Sequence, residues 1–189
     1  MTALAARLDE ASLAAHSIAL QVISTTYMVT LGIGSAAAVR VGHAVGRRDR
    51  AAAATAGWTA LLCGAVFMAA AGVVLWAAPR WLAHLFIGDP AVIRLAAVLL
   101  RIAAVMELFD GLQTVATGAL RGLGDTRSPM LAHLAGYWMV GLPVTYVLCF
   151  PLGWGVRGIW VGLTTAIMII GAALVLVWAR RTRAAGGTG

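Results

Sequence analysis

The stretch that decides the fold runs from residue 158 to residue 179 and reads GIWVGLTTAIMIIGAALVLVWA. It holds 22 consecutive residues without a charge, and an α-helix needs about 20 apolar residues to cross a bilayer. A second stretch of the same length and character, GWTALLCGAVFMAAAGVVLWAA, occupies residues 57–78. Both stretches predict transmembrane helices rather than elements of a soluble core.

The composition of the whole chain supports a membrane protein. Of its 189 residues, 61% are hydrophobic and 11% are charged, whereas about 25% are charged in an ordinary soluble domain. A soluble domain could not hide this much apolar surface from water, so we expect the lipid bilayer to be its main partner. The net charge is +7, but the arginines cluster at the ends of apolar segments. No nucleic-acid partner is therefore expected.

Five segments are long and apolar enough to be membrane spans, which predicts an all-α, polytopic protein with a single membrane domain. The first segment is the most polar of the five, and the alternative for it is a soluble amphipathic helix. The predicted spans are 14–39, 56–79, 91–118, 130–150 and 156–178, and the residues 179–189 form a predicted tail.

Arginine is distributed unequally between the two sides of these spans. The ends of spans one, three and five carry nine arginines, against four on the opposite side, so the positive-inside rule makes the nine-arginine side and the C-terminus cytoplasmic. Trp154 and Trp178 lie near span ends, where tryptophan commonly anchors a helix at the interface. The nine arginines are Arg40, Arg47, Arg48, Arg50, Arg121, Arg127, Arg180, Arg181 and Arg183.

Five crossings then place Met1 on the outer side of the membrane. The first residues have neither the basic start nor the cleavage site of a signal peptide. We therefore expect another helix before Met1, and we expect the chain to be the C-terminal part of a longer protein.

The third span contains two acids in the stretch MELFDGLQTV, residues 106–115. Glu107 and Asp110 lie three residues apart and so project from similar faces of one helix. A charged side chain at the centre of a bilayer costs at least ~2.5–3.5 kcal/mol, so such a group is kept when it binds a cation, takes up a proton or pairs with a base. Thr114 and Thr117 continue the polar stripe beyond Asp110, with Gln113 beside them.

Arg101 is the nearest base along the same helix. It lies nine residues from Asp110, which is about 13 Å along the axis and on a different face, so it cannot pair with that acid. A salt bridge to another helix, for example to Arg40, remains the alternative to a cation or proton site. Which ion is used, Na⁺ or H⁺, does not follow from two acids.

No enzymatic site is predicted. The four histidines are scattered over spans and loops, and no Ser–His–Asp set or pair at metal-ligand spacing is present in the sequence. His133 is interpreted as a hydrogen bonder at a helix end or between helices. We expect no cofactor and no bound metal apart from the coupling ion.

Several stretches resemble, in order, helices of the multidrug and toxic compound extrusion (MATE) family of transporters. LAAHSIALQVISTTYMVTLGIGSAAAVRVGHAVGRRD, residues 13–49, resembles the eighth helix and the loop after it. The tenth helix with its loop is similar to ELFDGLQTVATGALRGLGDTRSPM at 107–130, and the eleventh to YWMVGLPVTYVL at 137–148. The start of the twelfth helix is similar to GVRGIWVGL at 155–163.

The resemblance implies an inner-membrane antiporter that exports cationic or amphiphilic, drug-like compounds against an inward flow of Na⁺ or H⁺. By motif position, Asp110 corresponds to the acid of the tenth helix that takes part in cation or proton coupling, and Glu107 is a second candidate. Gln21, Thr114 and Tyr137 are the candidates for lining the cavity of the lobe.

The chain departs from the family pattern in its length. A complete member has about twelve helices in two lobes, and this chain matches helices eight to twelve, so we expect the first lobe to come from the same polypeptide or from a partner chain. Two other functions remain open. One is a related flippase of lipid-linked saccharides, whose cavity usually carries basic residues. The other is a membrane subunit that binds partners without transporting anything.

Overall fold

The computed structural model describes residues 10–186, and within that range every regular element is helical and there is no strand. The prediction of an all-α fold is thus confirmed. A π-helical segment, Gly136–Gly141, joins the fifth and sixth α-helices. The α-helices are α1 (Glu10–Gly46), α2 (Arg50–Ala77), α3 (Pro79–His84), α4 (Pro90–Gly122), α5 (Arg127–Ala135), α6 (Leu142–Cys149) and α7 (Val156–Gly186).

Four helical stretches within the described residues are long and apolar enough to cross a membrane. They correspond to predicted spans one, two, four and five, and they are Glu10–Gly46, Arg50–Ala77, Arg127–Cys149 and Val156–Arg183. The third predicted span corresponds to α4, a continuous helix of 33 residues whose interior holds Arg101, Glu107 and Asp110. Those charges distinguish α4 from the other four stretches, and α4 packs against α1, α2 and α7. Its neighbours therefore shield much of it from lipid.

Capping residues fix where two of the long helices begin. The Asp49 carboxylate accepts a hydrogen bond from the backbone N–H of Ala52 at 2.9 Å, and Asp89 accepts one from Ala91 at 2.7 Å. An aspartate at this position satisfies an amide that has no partner within the helix.

The last helix continues past the end of the predicted fifth span. α7 runs to Gly186, so most of the segment predicted as a tail is helical. The remaining residues of that tail, and the prediction about what precedes Met1, lie outside the described part of the chain.

The helices α1 and α4 cross at a pair of glycines. A side chain on Gly118 would collide with the backbone carbonyl of Gly34, so glycine at this point lets the two backbones touch. Two apolar clusters extend from this crossing, one toward each end of α4; Leu100 and Trp160 belong to one, and Leu120 belongs to the other. α4 is thus the central helix of the bundle.

One interfacial anchor predicted from the sequence is wrong. Trp178 has no exposed surface, and its ring lies against Gly57 of α2, where any larger residue would collide with it. Trp154, by contrast, is 50% exposed. The reason is that α7 continues beyond Trp178, so this ring lies between helices rather than at the end of one.

The three arginine-rich segments meet at one end of the bundle. Arg181 of α7 is 2.8 Å from Asp125 in the connection after α4. Val45 and Arg48, at the end of α1, line a pocket together with Leu123 and Arg181. The ends of the first, third and fifth predicted spans therefore lie on the same side, as the alternating topology requires.

Candidate functional site

A cavity of about 600 Å³ lies between α1, α4, the α5–π segment and α7. Its size falls within the range of about 300–1,000 Å³ that is usual for small-molecule sites. The wall combines apolar side chains with a row of polar ones from α4. The lining residues are Ile23, Ser24, Tyr27, Leu31, Met106, Asp110, Gln113, Thr114, Thr117, Arg121, His133, Tyr137, Leu163 and Ile167.

Asp110 is the only carboxylate among the residues that line this cavity. The side-chain amide of Gln113 donates one hydrogen bond to Asp110 Oδ1 at 2.7 Å and another to Tyr137 Oη at 3.3 Å. Because the amide has two N–H groups, it can serve both acceptors at once. Gln113 Oε1 is buried without a hydrogen-bond partner among the described residues. The site therefore has an unused acceptor next to the carboxylate.

The π-helical segment places Tyr137 in this group. A π turn takes in an extra residue and is often found at functional sites. Gly141, at the end of the segment, lies so close to Ala166 of α7 that a side chain there would touch it. The close approach to α7 and the changed helical pitch together position the Tyr137 ring beside Gln113.

His133 also faces the cavity, which the sequence did not predict. Its Nδ1 lies 2.7 Å from the backbone carbonyl of Pro129. A carbonyl can only accept, so Nδ1 carries the hydrogen and Nε2 is left as an acceptor when the ring is neutral. The ring centroid lies 6.0 Å from that of Tyr137. The bond within its own helix thus leaves one ring nitrogen of His133 available to accept a hydrogen bond.

Glu107 lies in a different environment from Asp110. It is 1% exposed and does not line the cavity. Its carboxyl group lies near the side chain of Thr26 on α1, and its Oε2 has no hydrogen-bond partner among the described residues. Three residues along a helix correspond to a rotation of about 60° between the two side chains, so Glu107 is directed into the packing between α4 and α1.

The predicted cavity residues fall in two places. Thr114 and Tyr137 line the cavity, whereas Gln21 is exposed and is not among the lining residues. The α1 residues that do line it include Ser24 and Tyr27, one to two turns further along. The polar stripe of α4 could have been followed further in the sequence, since Arg121 lies eleven residues after Asp110, on the same face.

Neither acid of α4 forms an ion pair with an arginine among the described residues. The ion pair that the described residues do form joins Arg181 to Asp125. Arg40 lies in a separate pocket beside α2, and Arg101 is exposed on another face of α4. No group of three histidine, cysteine or acidic side chains suited to a metal ion occurs among the described residues. One carboxylate with hydroxyl and amide groups around it can hold a proton or a small monovalent cation.

Comparison with known proteins identifies relatives for nearly the whole chain. The MatE family model matches residues 1–147. The chain is 48% identical over 176 residues to the multidrug resistance protein NorM of Burkholderia vietnamiensis, covering 90% of this chain and 38% of that protein. It is 44% identical over 179 residues to a probable multidrug resistance protein NorM of Brucella suis biovar 1 (strain 1330), covering 92% and 38%.

A solved structure agrees with these relatives. The crystal structure of the eukaryotic MATE transporter AtDTX14 superposes with a TM-score of 0.83 at 25% identity, over 92% of this chain and 40% of that one. The chain thus spans about two fifths of the length of the proteins that it matches. With a family model that covers residues 1–147 and relatives of 44–48% identity, the chain belongs to the MATE family.

Proposed function

We propose that the chain is part of a multidrug antiporter that exports cationic or amphiphilic compounds, driven by the inward flow of H⁺ or Na⁺. The observation that carries this proposal is the position of Asp110, a carboxylate in a cavity within a membrane bundle, with no arginine paired to it. Such an acid can bind the coupling ion, or a cationic substrate, but not both with full strength. Competition of this kind is the simplest physical basis for exchange.

The names of the relatives support export of drugs, since both are multidrug resistance proteins. Because the chain spans only 38% of their length, the proposed activity belongs to the complete transporter. The remaining helices come from the same polypeptide or from a partner chain, and alternating access needs both halves. With nine arginines on one side, the proposed location is the inner membrane with the C-terminus in the cytoplasm.

One observation favours a flippase for anionic, phosphate-bearing lipids, because Arg121 and His133 also line the cavity. Arg121 lies in the last turn of α4, and eleven residues separate it from Asp110, which is about 16 Å along the helix. The basic residue is therefore at the mouth of the cavity, and the acid is deeper. A phosphate at the depth of Asp110 would be repelled, so we favour a cationic substrate.

The test is transport by the complete polypeptide in proteoliposomes that contain ethidium as the cationic substrate. An imposed pH gradient or Na⁺ gradient should drive ethidium movement, and an ionophore that collapses the gradient should stop it. Asp110→Asn should reduce transport to the level of protein-free vesicles, because the amide can neither release a proton nor attract a cation. Asp125→Asn is the matched control and should leave transport unchanged, since Asp125 lies outside the cavity.

Three results would contradict the proposal. Gradient-driven transport that survives Asp110→Asn would show that this acid does not couple the ion. If neither gradient changed ethidium movement in wild type or in the variant, the result would favour a subunit without transport activity. Movement of a fluorescent anionic lipid without ethidium movement would instead support the flippase.

A further inference from the structure

A second pocket, of about 390 Å³, lies at the arginine-rich end of the bundle and shares no residue with the Asp110 cavity. It is formed where α1 ends, α2 begins, α4 has just ended and α7 makes its last turns. No carboxylate lines it, whereas three guanidinium groups do. The lining residues are Val45, Arg48, Arg50, Ala53, Ala54, Leu123, Arg181 and Thr182.

One of the three arginines is held in place by an ion pair outside the pocket. Arg181 donates from Nε at 3.2 Å and from Nη2 at 2.8 Å to Asp125 Oδ2. Asp125 in turn accepts hydrogen bonds from Ser128, from its backbone N–H at 3.0 Å and from its hydroxyl at 2.8 Å. Burial raises the pKa of the Asp125 carboxyl, but these bonds and the Arg181 charge outweigh burial and hold the pKa below its ordinary value. Arg181 is thereby oriented in advance of binding a ligand.

Arg48 occupies a backbone position that normally belongs to glycine. Its φ is 59°, and the bonds from Arg48 N to Val45 O at 2.9 Å and from Asp49 N to Ala44 O at 3.0 Å form the turn that ends α1. α4 ends in the same kind of turn, but there the corresponding residue is Gly124. An arginine in a left-handed conformation is uncommon, and its place in the lining of a basic pocket favours a role for its side chain there.

Half of the residues that line the pocket are apolar. Val45, Ala53, Ala54 and Leu123 line it together with the three guanidinium groups, and we call these four side chains its apolar floor. A soluble phosphate would gain nothing from this floor, whereas a lipid has a glycerol backbone and acyl chains next to its phosphate. The pocket also lies at the ends of the spans, where lipid headgroups are expected, and basic pockets between transmembrane helices suit anionic headgroups.

We propose that this pocket binds the phosphate headgroup of an anionic membrane lipid, with Arg48, Arg50 and Arg181 around the phosphate and the apolar floor beneath the glycerol backbone. The assignment does not depend on the transport activity proposed above. It adds a lipid site that joins the connection between α1 and α2 to the last helix.

The experiment titrates the complete polypeptide in detergent micelles with dioleoyl phosphatidylglycerol and counts bound lipids by native mass spectrometry. The double variant Arg48→Gln/Arg181→Gln removes two charges from the pocket. Arg47→Gln/Arg180→Gln is the matched control, because it removes two charges from adjacent positions that do not line the pocket. We expect the pocket variant to bind about 30-fold more weakly, and the control to lose less than about threefold.

A single variant and two competing ligands test the assignment further. The single variant Arg48→Gln leaves the Arg181–Asp125 pair intact and should still weaken binding, so loss of folding cannot explain the result. Equal losses in the two double variants would overturn the assignment, since binding would then follow net charge alone. Binding of dioleoyl phosphatidylcholine with the same affinity, or displacement of the lipid by millimolar inorganic phosphate, would also overturn it.

Discussion

Asp110 and Glu107 lie three residues apart on α4, yet their carboxyl groups have different surroundings. Asp110 faces an open space and accepts a hydrogen bond from Gln113. Glu107 is 1% exposed, lies near Thr26 and has one carboxyl oxygen without a hydrogen-bond partner among the described residues. Of the two acids, Asp110 lines the cavity and Glu107 does not. A spacing of three places two side chains on neighbouring faces, but the adjacent helix decides what each of them meets.

The largest effect within this comparison is expected from Gln113→Leu. Leucine cannot donate, so Asp110 Oδ1 and Tyr137 Oη would lose a shared donor inside a membrane bundle, which costs about 1–3 kcal/mol for a buried group. We expect the rate of gradient-driven ethidium transport to fall at least about tenfold. The matched control is Gln21→Leu, the same change on the exposed face of α1, which should leave the rate unchanged. Equal losses in both variants would mean that the cavity extends to Gln21.

A smaller effect is expected from Glu107→Gln. Glutamine has nearly the same shape and removes only the capacity to ionise, and the carboxyl group does not line the cavity. Transport should therefore stay within about twofold of wild type, and the melting temperature in detergent should not fall, because a neutral amide is cheaper to bury than a charge. If Glu107→Gln reduced the transport rate as much as Asp110→Asn, both acids would take part in binding the coupling ion.

The smallest effect is expected from Asp125→Asn, an acid whose charge is already compensated by Arg181. The Asp125 pKa is lower in the folded chain than in the unfolded chain, so its stabilisation is present above about pH 4 and is lost as the pH falls through the folded value. Arg181 is 59% exposed, so solvent screening limits the pair to less than about 1 kcal/mol. Melting temperatures of wild type and variant should differ slightly at pH 7 and converge below pH 4. A difference in melting temperature that grows as the pH falls would contradict this prediction.

The sequence predicted the helices but not how they face one another. The long apolar runs and the two acids of α4 could be identified because membrane insertion leaves a clear compositional signal. Trp178 was interpreted as an anchor and is buried, because the end of the apolar run was taken as the end of the helix. His133 and Tyr27 were missed as lining residues, since neither forms part of a periodic polar stripe.

The sequence by itself determined the membrane as solvent, the all-α architecture, the side that carries the arginines and the family. These properties follow from composition and from runs of apolar residues along the chain, and they do not depend on contacts between helices. The tertiary structure decided that Asp110 faces a cavity while Glu107 is enclosed, and that Arg48 and Arg181 share a pocket although 133 positions separate them in the chain. Contacts of this kind depend on the crossing of α1 over α4 and on the pitch of a single π turn, and neither is encoded in a local pattern of residues.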